Sequence, residues 1–83
     1  MERYFLLARS VTHAQQMVKE LEHTGIFTRV RRADATLTGR GCGYMVEIAG
    51  RHYALAMKQF EESSGRPIKV YRQYGTGLVE VKI

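Results

Sequence analysis

The reading of this chain turns on the stretch Arg40-Gly41-Cys42-Gly43-Tyr44-Met45-Val46-Glu47-Ile48. Its first half closes a polar segment, Ala33 to Gly43, that holds three glycines and reads as a loop. Its second half alternates, with Tyr44, Val46 and Ile48 on one face, the period of a strand. The stretch therefore marks the start of a strand and places Cys42 just before it.

Ile26 to Arg32 upstream alternates too. Ile26, Thr28 and Val30 share one face, and Phe27, Arg29 and Arg31 the other, as in a strand with one side covered. Before it, Val11, Ala14, Met17, Val18 and Leu21 recur at helical spacing. The expected helix runs from about Thr12 to about Thr24. Thr12 is its N-cap and Gln15 the capping-box partner, Ser10 is the competing cap, and Gly25 is the stop. Arg3 to Arg9 is apolar with aromatics and reads as a buried strand.

Downstream of the decisive stretch, Gly50 breaks the strand. Tyr53, Ala56, Met57 and Phe60 mark a second helix, ended by Gly65 and Pro67. Ile68 to Arg72 is a fourth strand, Gly75-Thr76-Gly77 a turn, and Leu78 to Ile83 a short fifth strand at an edge. The order β-α-β-β-α-β plus a tail predicts one α+β domain over residues 1–83, a ferredoxin-like sandwich with an antiparallel sheet. Right-handed crossovers put both helices on one sheet face. The other face then shows Phe27, Arg29, Arg31, Met45, Lys69 and Tyr71.

Composition narrows the function classes. Hydrophobic residues make up 45% of the chain and charged residues 25%, a globular balance and not a disordered one. A core drawn from 83 residues is modest, and one cysteine cannot cross-link it, so a homodimer is a natural way to extend it. The apolar run Tyr4 to Ala8 is too short for a signal h-region or a membrane span, and a free thiol fits a reducing compartment. The expectation is a cytoplasmic protein. The net charge of +5 is spread along the chain, which suits a solvated basic surface and permits an acidic partner.

The topology gives Cys42 neighbours. Strand one pairs antiparallel with strand three, so the loop before strand three lies beside the turn from strand one into helix one. Cys42 is expected near Ser10, Thr12, His13 and the first backbone N–H groups of that helix, with Arg66 opening at the same end. A helix N-terminus carries positive partial charge and favours a thiolate, the nucleophilic form of cysteine. Gly41 and Gly43 leave the sulfur unshielded, and Arg40 and His13 are sources of positive charge. The competing reading is a buried cysteine acting as a small hydrophobe. A Gly-Cys-Gly loop is not core-like.

Three pieces of the chain resemble the selenium/sulfur carrier protein-like family, small bacterial proteins also classed as a domain of unknown function. Tyr4-Phe5-Leu6-Leu7 leads into Ser10, Thr12 and His13 at a helix start; Gly25-Ile26 closes that helix; and Cys42-Gly43 opens the next strand, before a helix with Ala54, Ala56 and Phe60. Tyr44 stands where members of the family usually carry an aliphatic residue. The resemblance implies a carrier. Cys42 would hold sulfur or selenium as a persulfide or selenopersulfide, loaded by a cysteine desulfurase-like donor and unloaded to an acceptor protein.

Other constellations are weaker. His13, His23, His52 and Cys42 lack paired metal-ligand spacing, so neither a metal nor any other cofactor is expected, and the histidines read as surface residues. Ser10, His13 and Cys42 lack a third orienting group, which argues against a hydrolase. Gly39, Gly41 and Gly43 precede a strand, where a dinucleotide fingerprint opens a helix. The principal rival is RNA binding, because the element order and Arg40 to Glu47 resemble an RRM and its RNP1 strand. Cys42 and Glu47 stand where that motif needs aromatics, and Tyr44 shares its face with Val46 and Ile48, which looks helix-covered. A protein-interaction or regulatory module without thiol chemistry is the remaining alternative.

Overall fold

In the computed structural model, residues 2–33, 43–62 and 66–82 are described. Arg40, Gly41 and Cys42 lie outside them, as do Gly65 and the end of the expected fifth strand at Ile83. The elements are β1 (Arg3–Ala8), α1 (Val11–His23), β2 (Arg29–Arg32), β3 (Tyr44–Ala49), a 3₁₀ turn (Gly50–His52), α2 (Tyr53–Glu61), β4 (Lys69–Tyr74) and β5 (Gly77–Val81). The strands form one antiparallel sheet in the order β2-β3-β1-β4-β5. Among the described residues, two helices and a five-stranded antiparallel sheet are consistent with the ferredoxin-like α+β class, with β5 an addition at the edge beside β4.

One face carries the main core. Leu6, Ala8, Val46, Ile48 and Val70 from the strands meet Ala14, Met17 and Leu21 of α1 and Ala56 and Phe60 of α2. Tyr44 packs on this cluster, as its alternation with Val46 and Ile48 requires. Tyr4 stacks on Tyr53 with ring centroids 4.0 Å apart, which pins the start of α2 to β1. On the opposite face Phe5, Leu7, Met45, Tyr71 and Ala33 form a smaller cluster. No helix among the described residues is long and apolar enough to cross a membrane.

Several boundaries differ from expectation, each for a local reason. Helix α1 starts at Val11, with Ser10 as its N-cap and not Thr12. The Ser10 Oγ accepts the His13 amide at 3.1 Å, and Thr12 is an exposed residue of the first turn. The helix ends in a Schellman motif. Gly25 sits at φ +79°, its N–H donating to Glu22 O, and Ile26 N–H donates to Leu21 O. That motif removes Ile26 to Thr28 from the expected second strand, which shrinks to Arg29–Arg32. Ile26 becomes core, and Phe27, expected on the open face of the strand, is left 76% exposed in the connection.

Strand β4 runs two residues further than expected, to Tyr74, because the hairpin with β5 extends its pairing. The two-residue turn Gly75-Thr76 has Gly75 at φ +59° and no positive φ at Thr76, the pattern of a type II′ hairpin.

Candidate functional site

The candidate site lies where three segments meet at one end of the sheet. In the β1–β3 register Ala8 faces Tyr44, and Ala33 N–H donates to Gly43 O at 2.9 Å. Gly43, the residue that follows Cys42, is therefore held beside the end of β1, where the chain turns through Ser10 into α1. The start of β4 joins them through Ile68 N–H, which donates to Leu7 O at 2.8 Å. Arg66, exposed, precedes it.

Of the residues singled out from the sequence, Ser10, Thr12, His13 and Gly43 come together here. Cys42, Gly41 and Arg40 fall outside the described residues. Ser10 is occupied as the cap. The amides of Val11 and Thr12 have no intrahelical acceptor, by the geometry of a helix start, and both residues are exposed. No acidic residue occupies the first turn. The end of α1 therefore presents donors and positive partial charge without a fixed counter-charge of its own.

His13 departs from its expected role. It is 8% exposed, not a surface residue, and its Nδ1 accepts the Arg9 amide at 3.1 Å. That acceptor role makes the imidazole part of the β1–α1 turn. Among the described residues no group of three His, Cys, Asp or Glu is arranged to hold a metal ion.

The open face matters for the RNA-binding alternative. Arg29, Arg31, Met45, Lys69 and Tyr71 fall on it by register, as expected, and so do Arg3, Phe5, Leu7 and Glu47. RRM-type stacking needs exposed aromatics there. Tyr44 points to the helices, and Phe5 and Tyr71, paired across β1 and β4, are 9% and 5% exposed. Sequence reasoning missed Glu47. Its Oε2 accepts Arg3 Nη1 at 2.7 Å, and its Oε1 lies 2.8 Å from Arg31 Nε without an aligned hydrogen bond. The available signal was its parity: Glu47 shares a face with Met45, opposite the arginines of β2.

Comparison with protein-family models, curated proteins and solved structures finds no match to this chain.

Proposed function

We propose that the chain is a sulfur or selenium carrier, with Cys42 as the acceptor thiol, built on a ferredoxin-like βαββαβ unit to which β5 is added. The observation that supports this reading is the tether of Gly43 beside the start of α1, through Ala33 and the β1–β3 register. It holds the residue next to Cys42 at the end of the sheet where α1 begins, and a helix start carries positive partial charge. Such surroundings lower a thiol pKa.

Loading needs no redox partner. The Cys42 thiolate attacks the outer sulfur of a donor persulfide, the S–S bond of the donor breaks, and the donor leaves as a thiolate. Cys42 then holds a persulfide, whose outer sulfur an acceptor thiolate removes by the same exchange. Donor and acceptor are proteins of a reducing compartment, the cytoplasm.

The test pairs alkylation rate against pH with mass spectrometry after incubation with a cysteine desulfurase and cysteine. A thiol pKa below the ordinary value of about 8.5 and a mass gain of one sulfur on Cys42 are expected. An ordinary or raised pKa, or no mass gain, overturns the carrier. Cys42→Ala is expected to keep the fold, and unfolding of that variant would show a core cysteine instead.

A further inference from the structure

The opposite end of the sheet holds a second constellation, independent of the thiol. Arg3 opens β1, Arg29 opens β2, and the 3₁₀ turn after β3 carries Arg51 and His52. They line a pocket of about 200 Å³ together with Glu47 and Phe27. The turn is seated firmly. Gly50 N–H donates to Glu2 O at 2.8 Å, and a Cβ on Gly50 would fall 2.8 Å from Glu2 Cβ. From Arg3 to Ala8, β1 spans about 17 Å, so the pocket is well separated from the end of the sheet where Ala8 faces Tyr44.

Charge is unbalanced here. Glu47 is the pocket's only carboxylate among the described residues, and it is engaged by Arg3 and Arg31. Arg29 stands directly across from Glu47 in register, yet the carboxylate is turned to its neighbours. Among the described residues no acid pairs with Arg29 or Arg51, and Arg51 Nε instead donates to His52 Nε2 at 3.4 Å. Three arginines thus line the pocket beside one carboxylate that is already engaged, and an anion would relieve their mutual repulsion.

The geometry points to this pocket as a binding site for the phosphate of a nucleotide, held by Arg29 and Arg51, with the base stacked on Phe27. Planar guanidinium forks match phosphate oxygens in pairs. Ligand pockets for whole drug-sized molecules start near 300 Å³, so this one takes the phosphate and leaves the ring outside. Phe27 lines the rim, held out at 76% exposure by the Schellman turn that buries Ile26 behind it. An exposed aromatic beside arginines is how base and phosphate are read together.

The test is calorimetric titration of the full chain with adenosine monophosphate, adenosine, inorganic phosphate and an eight-nucleotide single-stranded RNA. Adenosine monophosphate is expected to saturate below about 1 mM, with adenosine and phosphate each at least about tenfold weaker. Arg29→Gln and Arg51→Gln, both at exposed positions, are each expected to weaken it about tenfold. Phe27→Ala is expected to bring adenosine monophosphate down to the level of phosphate. Arg72→Gln, in a different element, and Cys42→Ala leave binding unchanged if the assignment is right. RNA that binds more tightly than the mononucleotide, with a steeper salt dependence, identifies a strand as the source of the phosphate; RNA that binds no more tightly identifies a free nucleotide. No saturation by either probe, adenosine binding as well as its monophosphate, or affinity unchanged in both arginine variants overturns the site.

Discussion

The two faces of the sheet are made from the same strands under different rules. On the helix-covered face the strands contribute Leu6, Ala8, Val46, Ile48 and Val70, none more than 1% exposed, with charge only at its margins, at Arg32 and Arg72. Among the described residues no helix lies on the open face. It combines Phe5, Leu7, Met45 and Tyr71, at 5–9% exposure, with Arg3, Arg29, Arg31, Glu47, Lys69 and Glu80. The first face is close-packed at its centre with one ion pair at its margin, Arg72 to Glu2, while the second carries more of them, Arg3 and Arg31 to Glu47 and Lys69 to Glu80. The charged side is also where a ligand can be recognised, because charges on an apolar packing face would have no solvent or partner.

Matched truncations put that difference to the test. Phe60→Ala removes a ring that is 1% exposed between α2 and the sheet, and is expected to cost about 3–5 kcal/mol in urea unfolding. Phe5→Ala, the same chemistry on the open face, is expected near the lower end, about 3 kcal/mol, because its cluster is smaller and the ring is 9% exposed. Equal losses would show the two faces to be one kind of core. Glu47→Ala comes next, at about 1–3 kcal/mol. Removing one partner of a fully buried ion pair costs more, but the Arg3 and Arg31 side chains are about half exposed and regain water. A double-mutant cycle of Glu47→Ala with Arg31→Ala reads the coupling, and zero coupling would reduce the pair to proximity.

A smaller effect concerns how α1 is fastened to the covered face. Ser10→Ala is expected to lose about 1 kcal/mol, as an N-cap does, and Thr12→Ala to change little. The reverse ranking, measured by thermal melts, would restore Thr12 as the cap.

What the sequence made legible follows from periodicity. Tyr44, Val46 and Ile48 were assigned to the helix side from alternation alone, and Ala14, Met17 and Leu21 to the core from helical spacing, since both patterns are set by backbone geometry. Boundaries were harder, because competing local hydrogen bonds decide them. Two capping residues lay within three positions of each other, and a Schellman turn took Ile26 to Thr28 from a strand whose alternation was otherwise intact. His13 looked like a surface residue because its burial goes with a contact to the Arg9 amide that has no sequence pattern. The basic pocket was hidden for a related reason. Arg3, Arg29 and Arg51 come from three separate segments, and only the sheet register brings them to one end.

The smallest expected effect tests the covered face from its edge, through pH. Tyr53 has its pKa raised above the ordinary 10.0 by burial and, secondarily, by the neighbouring Tyr4. Its phenol thus stays protonated in the folded protein at a pH where the unfolded chain has begun to lose that proton. The stabilisation is complete below about pH 10 and declines as pH rises through the folded-state pKa, because ionisation then draws the equilibrium toward the unfolded chain. Other tyrosines and the lysines titrate in the same window, so the useful quantity is a difference. Urea midpoints measured between about pH 9 and pH 11 should fall more steeply for the parent protein than for Tyr53→Phe, which keeps the ring on Tyr4 and has no proton to lose. Parallel slopes would mean that water reaches the Tyr53 hydroxyl freely and that the covered face ends short of the start of α2. A larger slope in the parent would place that hydroxyl inside the packed layer and extend the contrast between the two faces to the edge of the sheet.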